Sequence, residues 1–169
     1  MEEYSIDNIN NSERPKMLKV LCILSFVNLG ISLLGVLSQF LSGPASKKDM
    51  LLQRAEMSKN IEQLENMNAD YAVNAIHKLT AMAESLNDSF YAVTVITLIS
   101  SAVGLFGVLK MWKGAKIGFH FYIIYSLITV GQVYLFVSPA SIPSFIVIWN
   151  LFIAGLFVFL YSRNLNWMK

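Results

Sequence analysis

The charged residues divide this chain into long apolar blocks. No Asp, Glu, Lys or Arg occurs in 20–46, 89–109 or 117–162. A helix that crosses about 30 Å of hydrocarbon at 1.5 Å per residue needs roughly 20 residues, so each of the first two blocks holds one span and the third holds two. The third block is punctuated by "VSPASIP", where Pro139 and Pro143 lack amide donors and disfavour helix in the residue before each. The chain should turn there. The pattern predicts an all-α membrane protein with spans at 17–41, 90–109, 117–137 and 142–161. Tails at 1–16 and 162–169, a basic loop at 110–116 and a short turn at 138–141 complete the frame.

Between the first two spans, 42–89 has a different rhythm. Met50, Met57, Ile61 and Leu64 recur at steps of 7, 4 and 3, and Ala72, Ile76, Leu79, Ala83 and Leu86 at 4, 3, 4 and 3. Both are amphipathic helix patterns. "NMNAD" between them has the asparagines and aspartate of a turn and a helix N-cap. Two helices of about 18 residues are therefore expected, each roughly 27 Å long. They should fold as an extracytoplasmic antiparallel hairpin that extends the first two spans. The narrow apolar seam over 50–86 suits self-association or a protein partner, whereas adhesion to a membrane surface favours a richly basic polar face.

The spans themselves carry polar stripes. Ser25, Asn28, Ser32, Gly35 and Gln39 follow steps of 3, 4, 3 and 4. Thr94, Thr97, Ser101 and Gly104 repeat the device in the second span, and Gly118, Tyr122, Tyr125, Thr129 and Gln132 in the third. Asn150 is the one strong polar group of the fourth. Lipid tails are as apolar as leucine, so helices in a bilayer associate through close packing over small residues and through hydrogen bonds. The stripes are expected to face inward as packing surfaces, in a left-handed bundle with crossings near +20°. Asn28 and Asn150, each near mid-span, should pair amide to amide. The competing use of the same residues is a lined pathway or pocket through Asn28, Gln39, Thr97, Gln132 and Asn150.

Charge sets the orientation. Arg14, Lys16, Lys19, Lys110, Lys113, Lys116, Arg163 and Lys169 fall on the side of the termini, against Lys47, Lys48, Arg54, Lys59 and Lys78 on the other. The positive-inside rule then puts both termini in the cytoplasm. Trp112, Tyr161 and Trp167 fit an aromatic belt at the inner boundary, and Tyr134 one at the outer. The apolar run at the first span exceeds the 7 to 15 residues of a signal h-region, so a retained anchor is expected. A net charge of +2, divided between the two sides, gives no reason to expect nucleic acid as a partner. The lipid bilayer is the partner that composition names.

Catalytic chemistry is sparse. The single cysteine, Cys22, lies in the first span, and neither H-E-x-x-H nor C-x-x-C occurs. Spans rich in Ser and Thr lack the Asp and His that activate a nucleophile, and no carboxylate lies within them to relay protons. His120, one turn into the third span, is the one histidine at membrane depth and hence a functional candidate. No catalytic residue, cofactor or metal is expected. "NNS" at Asn10 and "NDS" at Asn87 match the glycosylation sequon.

"RPKMLKVLCILSFVNLG", with Arg14, Pro15, Leu18, Val20, Leu21, Cys22, Ile23 and Leu24, resembles the opening of a group of short, uncharacterised four-span proteins of bacterial inner membranes. The resemblance implies that location, and it lends no activity to any residue. The four-span outline also looks like the claudin layout, but the paired loop cysteines and tryptophan motif of that family are missing. The expected role is an interaction or accessory subunit, with a small oligomeric channel or carrier as the alternative.

Overall fold

The structure is a computed structural model and describes residues 14–169. The first sequon and most of the N-terminal tail lie outside the described residues. Within them the elements are α1 (Lys16–Ser42), α2 (Lys47–Asn66), α3 (Asp70–Asp88), α4 (Phe90–Trp112), α5 (Ile117–Gly131), the single turn α6 (Val133–Phe136), a 3-10 turn at Pro139–Ser141 and α7 (Ser144–Ser162). Four helices, with α5 and α6 counted as one, are long and apolar enough to cross a membrane. The chain is a multi-pass, all-helical membrane protein.

Local chemistry sets the boundaries. Pro15 precedes α1 and supplies the carbonyl that accepts from Lys19 N–H at 3.1 Å. Gly43, at φ 75°, ends α1 in a conformation that only glycine adopts without penalty, and Pro44 bars continuation. The Ser46 hydroxyl and Asp49 carboxylate cap α2 reciprocally, each accepting from the other residue's backbone N–H. Asn68 turns the chain in the left-handed region at φ 52°. The cap expected from "NMNAD" is absent, since the residue at the start of α3 is Ala69; Asp70 instead sits in the first turn, where the helix dipole favours an anion.

The basic loop is shorter than expected because α4 runs on through Lys110, Met111 and Trp112. A lysine can extend its apolar stem along the helix and leave its ammonium in water, so a charge at a span's edge need not end it. What remains of the loop turns at Gly114, φ 79°.

Helices α4 and α5 approach each other closely. A Cβ on Gly107 would sit 2.9 Å from the Gly118 carbonyl oxygen, and one on Gly118 would strike the Gly107 carbonyl and Met111 N. The backbones touch, as glycine permits between membrane helices. Helix α1 packs on α4 and α7 on α5, with a smaller contact between α1 and α7. Leu18, Cys22, Val108, Met111, Tyr161 and Met168 form a closed core at the end of the bundle that carries the termini.

Residues 162–169 are more than a tail. Lys116 N–H donates to the Lys169 carbonyl at 2.9 Å and Lys169 N–H to the Gly114 carbonyl at 2.7 Å, which draws Met168 into the core. Tyr161 is fully buried and is no belt residue. Its ring packs 4.8 Å from that of Tyr122.

At the opposite end, α2 and α3 lie antiparallel. Arg54 meets Glu84 at 2.5 Å, Thr80 Oγ1 lies 3.1 Å from Met57 Sδ, and Ala45 N–H donates to Asn87 Oδ1 at 2.8 Å. The pair does not simply prolong α1 and α4. Tyr71, Asn74, Ala75 and Lys78 of α3 line a small cleft together with Pro143, Ser144 and Phe145, so α3 crosses the bundle end from α4 to the start of α7. Val137 and Ile142, at that turn, are buried. Apolar side chains between two helix ends need a cover, and α3 is the element that contacts the turn.

Candidate functional site

A crevice opens between α1, α5 and α7, with a volume of about 440 Å³. Leu24, Asn28 and Leu29 line it from α1, Tyr125, Ser126 and Thr129 from α5, and Trp149, Asn150 and Phe157 from α7. Among the described residues, no charged side chain lines it. The floor is built of buried residues: Tyr161 Oη donates to Ser25 Oγ at 2.9 Å, and Tyr122 lines the space beside them.

That hydrogen bond sets the register of α1 against α7. Asn28 lies three residues along α1 from Ser25, about 4.5 Å at 1.5 Å each, whereas Asn150 lies eleven residues along α7 from Tyr161, about 16 Å. The two carboxamides therefore stand at different heights on facing walls, and the amide pair expected from their mid-span positions does not form. Thr129 projects from α5 into the same space. Ser126 spends its hydroxyl proton on the Tyr122 carbonyl at 2.9 Å. Neither asparagine makes a side-chain hydrogen bond with the described residues.

The inward stripe expected on α1 is thus only partly inward. Ser25 is buried and Ser32 half-buried, but Asn28, Gly35 and Gln39 are exposed. The face that packs runs through Leu18, Leu21, Cys22, Ser25 and Leu29. From Ser25, a step of three residues turns the helix by about −60° and a step of four by about +40°, so Asn28 and Leu29 are equally plausible neighbours on periodicity alone. Packing took the leucine.

The stripe of α4 lies against part of that of α5, whereas Thr129 is exposed on the crevice side. Thr94, Ser101 and Gly104 are buried, and the Tyr125 ring covers Gly104, where a Cβ would come within 2.8 Å of it. Thr97 Oγ1 lies 3.5 Å from Gln132 Oε1 while donating to the Val93 carbonyl at 2.8 Å. With its proton committed there, Thr97 can serve the glutamine only as acceptor, from the amide turned over. The five residues proposed to line one pathway are not brought together: Asn28 and Asn150 share the crevice, Thr97 and Gln132 meet between α4 and α5, and Gln39 faces outward. His120 is exposed beside the Phe119 ring, 6.2 Å away, and does not line the crevice.

Sequence reasoning missed Tyr161, Trp149 and the closing tail. The signal available was the tail's own composition, since Leu165, Trp167 and Met168 are unusually apolar for a solvated end. Arg14 was read as a topology charge alone; its guanidinium stacks 3.9 Å above the Trp112 ring and donates to the Trp112 carbonyl at 2.6 Å. Comparison of the chain with known protein families, curated proteins and solved structures finds no match.

Proposed function

We propose that this is a non-enzymatic integral membrane protein of a bacterial inner membrane, an interaction or accessory subunit that presents the α2–α3 hairpin outside the cytoplasm. The observation that carries the reading is the exposure of α2. One side rests on α3, no residue of the helix is buried, and Leu51 and Leu52 are 65% and 56% exposed. Met67 and Tyr71, at the tip, are 74% and 75% exposed. The capping box and the Arg54–Glu84 pair fix the shape of a unit whose apolar residues lack a cover. Exposed apolar groups on a defined helical surface are what a protein partner buries.

The remaining spans are read as a left-handed bundle with both termini in the cytoplasm, following the stripe periodicity and the lysine count. The alternative, a channel or carrier, is favoured by Asn28 and Asn150 in the crevice. Because the terminal end of the bundle is closed by Leu18, Cys22, Met111 and Tyr161, any such pathway runs between copies of the chain.

The test is purification of the full chain from its host in mild detergent, beside the variants Leu51→Glu and Leu52→Glu. A companion present in fixed ratio and lost from both variants supports the reading. Retention of the same companion by both, or ion conductance by the reconstituted chain alone, overturns it. A cysteine placed at Ser58 should react with an impermeant maleimide applied to intact cells whose outer membrane has been made permeable.

A further inference from the structure

We propose that the crevice between α1, α5 and α7 is a binding site for a neutral, lipid-soluble molecule that carries carbonyl or hydroxyl oxygens and enters sideways from the bilayer. The inference goes beyond the hairpin reading and does not depend on it.

Size is the first argument. A volume of about 440 Å³ falls within the 300 to 1,000 Å³ typical of small-molecule sites. A helix with its side chains is about 10 to 12 Å across. It could cap this recess but not enter it. The direction of access follows from the fold. The terminal end is sealed by the core of Leu18, Met111, Tyr161 and Met168, while Leu24, Asn28, Thr129, Trp149 and Asn150 of the lining are exposed on the flank of the spans, where lipid lies.

Chemistry narrows the occupant. The lining is apolar and aromatic, with Leu24, Leu29, Trp149 and Phe157, and among the described residues it includes no Asp, Glu, Lys, Arg or His to balance a ligand's charge. A charged headgroup is therefore a poor fit at this depth. Two carboxamides, Asn28 and Asn150, offer donors and acceptors that the described residues leave unused. An unsatisfied amide in hydrocarbon is unfavourable by several kcal/mol. A long molecule with oxygens spaced along it meets both at their different heights, and Thr129 lies on the third wall. Trp149 stands at the rim, where a planar ring can stack.

The probe is decylubiquinone, added to the full chain in phosphatidylcholine vesicles, with quenching of tryptophan fluorescence as the readout. Saturable quenching is expected in the native chain, and Trp149→Phe should remove it while leaving Trp112 and Trp167 in place. Asn28→Leu and Asn150→Leu should each weaken binding about tenfold, the scale of one or two interhelical hydrogen bonds. Ala154→Phe fills the crevice from the α7 wall and should abolish binding; its helicity and elution volume establish that it folds. Gln39→Leu, exposed but away from the crevice, should bind as the native chain does. Equal saturable quenching in the native chain, Asn28→Leu and Ala154→Phe overturns the proposal. So does quenching that rises linearly with probe in all of them. Efficient disulfide formation between copies carrying Asn28→Cys also overturns it, since a second copy would then occupy the face.

Discussion

The two ends of the α1–α7 contact use polar side chains in opposite ways. At the floor, Tyr161 and Ser25 bond to each other and are both buried. Farther along the same helices, by about 4.5 Å on α1 and about 16 Å on α7, Asn28 and Asn150 face each other's wall across open space and bond to none of the described residues. Hydroxyls that find partners pull helices together, and carboxamides that do not mark where the helices part. Polarity in a span is thus no guide to which face packs until the partner's register is known.

The closed region should be the harder to disturb without damage. Gly118→Leu is expected to have the largest effect, because its side chain meets the Gly107 carbonyl and Met111 N, atoms of a helix backbone that cannot swing aside. Overpacking of this kind destabilises by about 3 kcal/mol or more when backbones must separate. Thermal unfolding followed by circular dichroism in detergent checks it. Gly30→Ala, at a position with nothing within 4 Å, should match the native chain or exceed it slightly.

Next comes the floor bond. Tyr161→Phe and Ser25→Ala should each lower stability by about 0.6 to 2 kcal/mol, as interhelical hydrogen bonds in membranes do. The double variant should be no worse than either alone by more than a few tenths of a kcal/mol. Full additivity would mean that the 2.9 Å contact contributes nothing to the α1–α7 register.

How far the sequence discloses this arrangement differs by level. Spans were legible because charges are excluded from hydrocarbon and prolines from helix interiors, and those constraints act on each residue separately. The packing face of α1 was not, because Ser25 belongs equally to a stripe with Asn28 and a stripe with Leu29. Only the neighbour decides between them. Gly118 belongs to the stripe expected of the third span, but its partner Gly107 lies outside the stripe of Thr94, Thr97, Ser101 and Gly104 expected of the second, so the point of contact was not legible either. The closing tail shows a third case: its hydrogen bonds are backbone to backbone, between Lys169 and the Gly114–Lys116 turn, and side-chain pattern does not encode them.

The exposed hairpin supplies a smaller effect with a definite sign. The hydrogen bond from Arg54 holds the Glu84 carboxyl below its ordinary value; burial opposes it and the Arg54 charge adds a smaller pull in the same direction as the bond. A carboxylate whose pKa is lowered on folding contributes stability above its unfolded value, and that contribution disappears as pH falls through the folded one. Glu84→Gln should therefore loosen α2 at neutral pH and match the native chain once pH is well below the ordinary carboxylate range. Hydrogen exchange of α2 amides, compared between the two chains at each pH, reads this. Because Arg54 is fully solvated, 0.5 M salt should erase most of the difference.

The smallest expected effect is the most discriminating. If Asn28 helped to hold α1 against α7, replacing it with leucine would destabilise the chain on the scale of Tyr161→Phe. The structure gives it no such bond, so Asn28→Leu should leave thermal stability and oligomeric state unchanged, or raise stability slightly as an exposed amide is replaced by an apolar side chain. The same variant is expected to weaken binding in the crevice about tenfold, by the loss of one hydrogen bond. A residue whose removal spares the fold but impairs binding is held for the ligand, whereas Ser25, just under one turn back along the helix, should show the reverse. Were Asn28→Leu to lose stability while binding held, the roles of floor and wall would be exchanged, and the opening between α1 and α7 would close in the protein's working state.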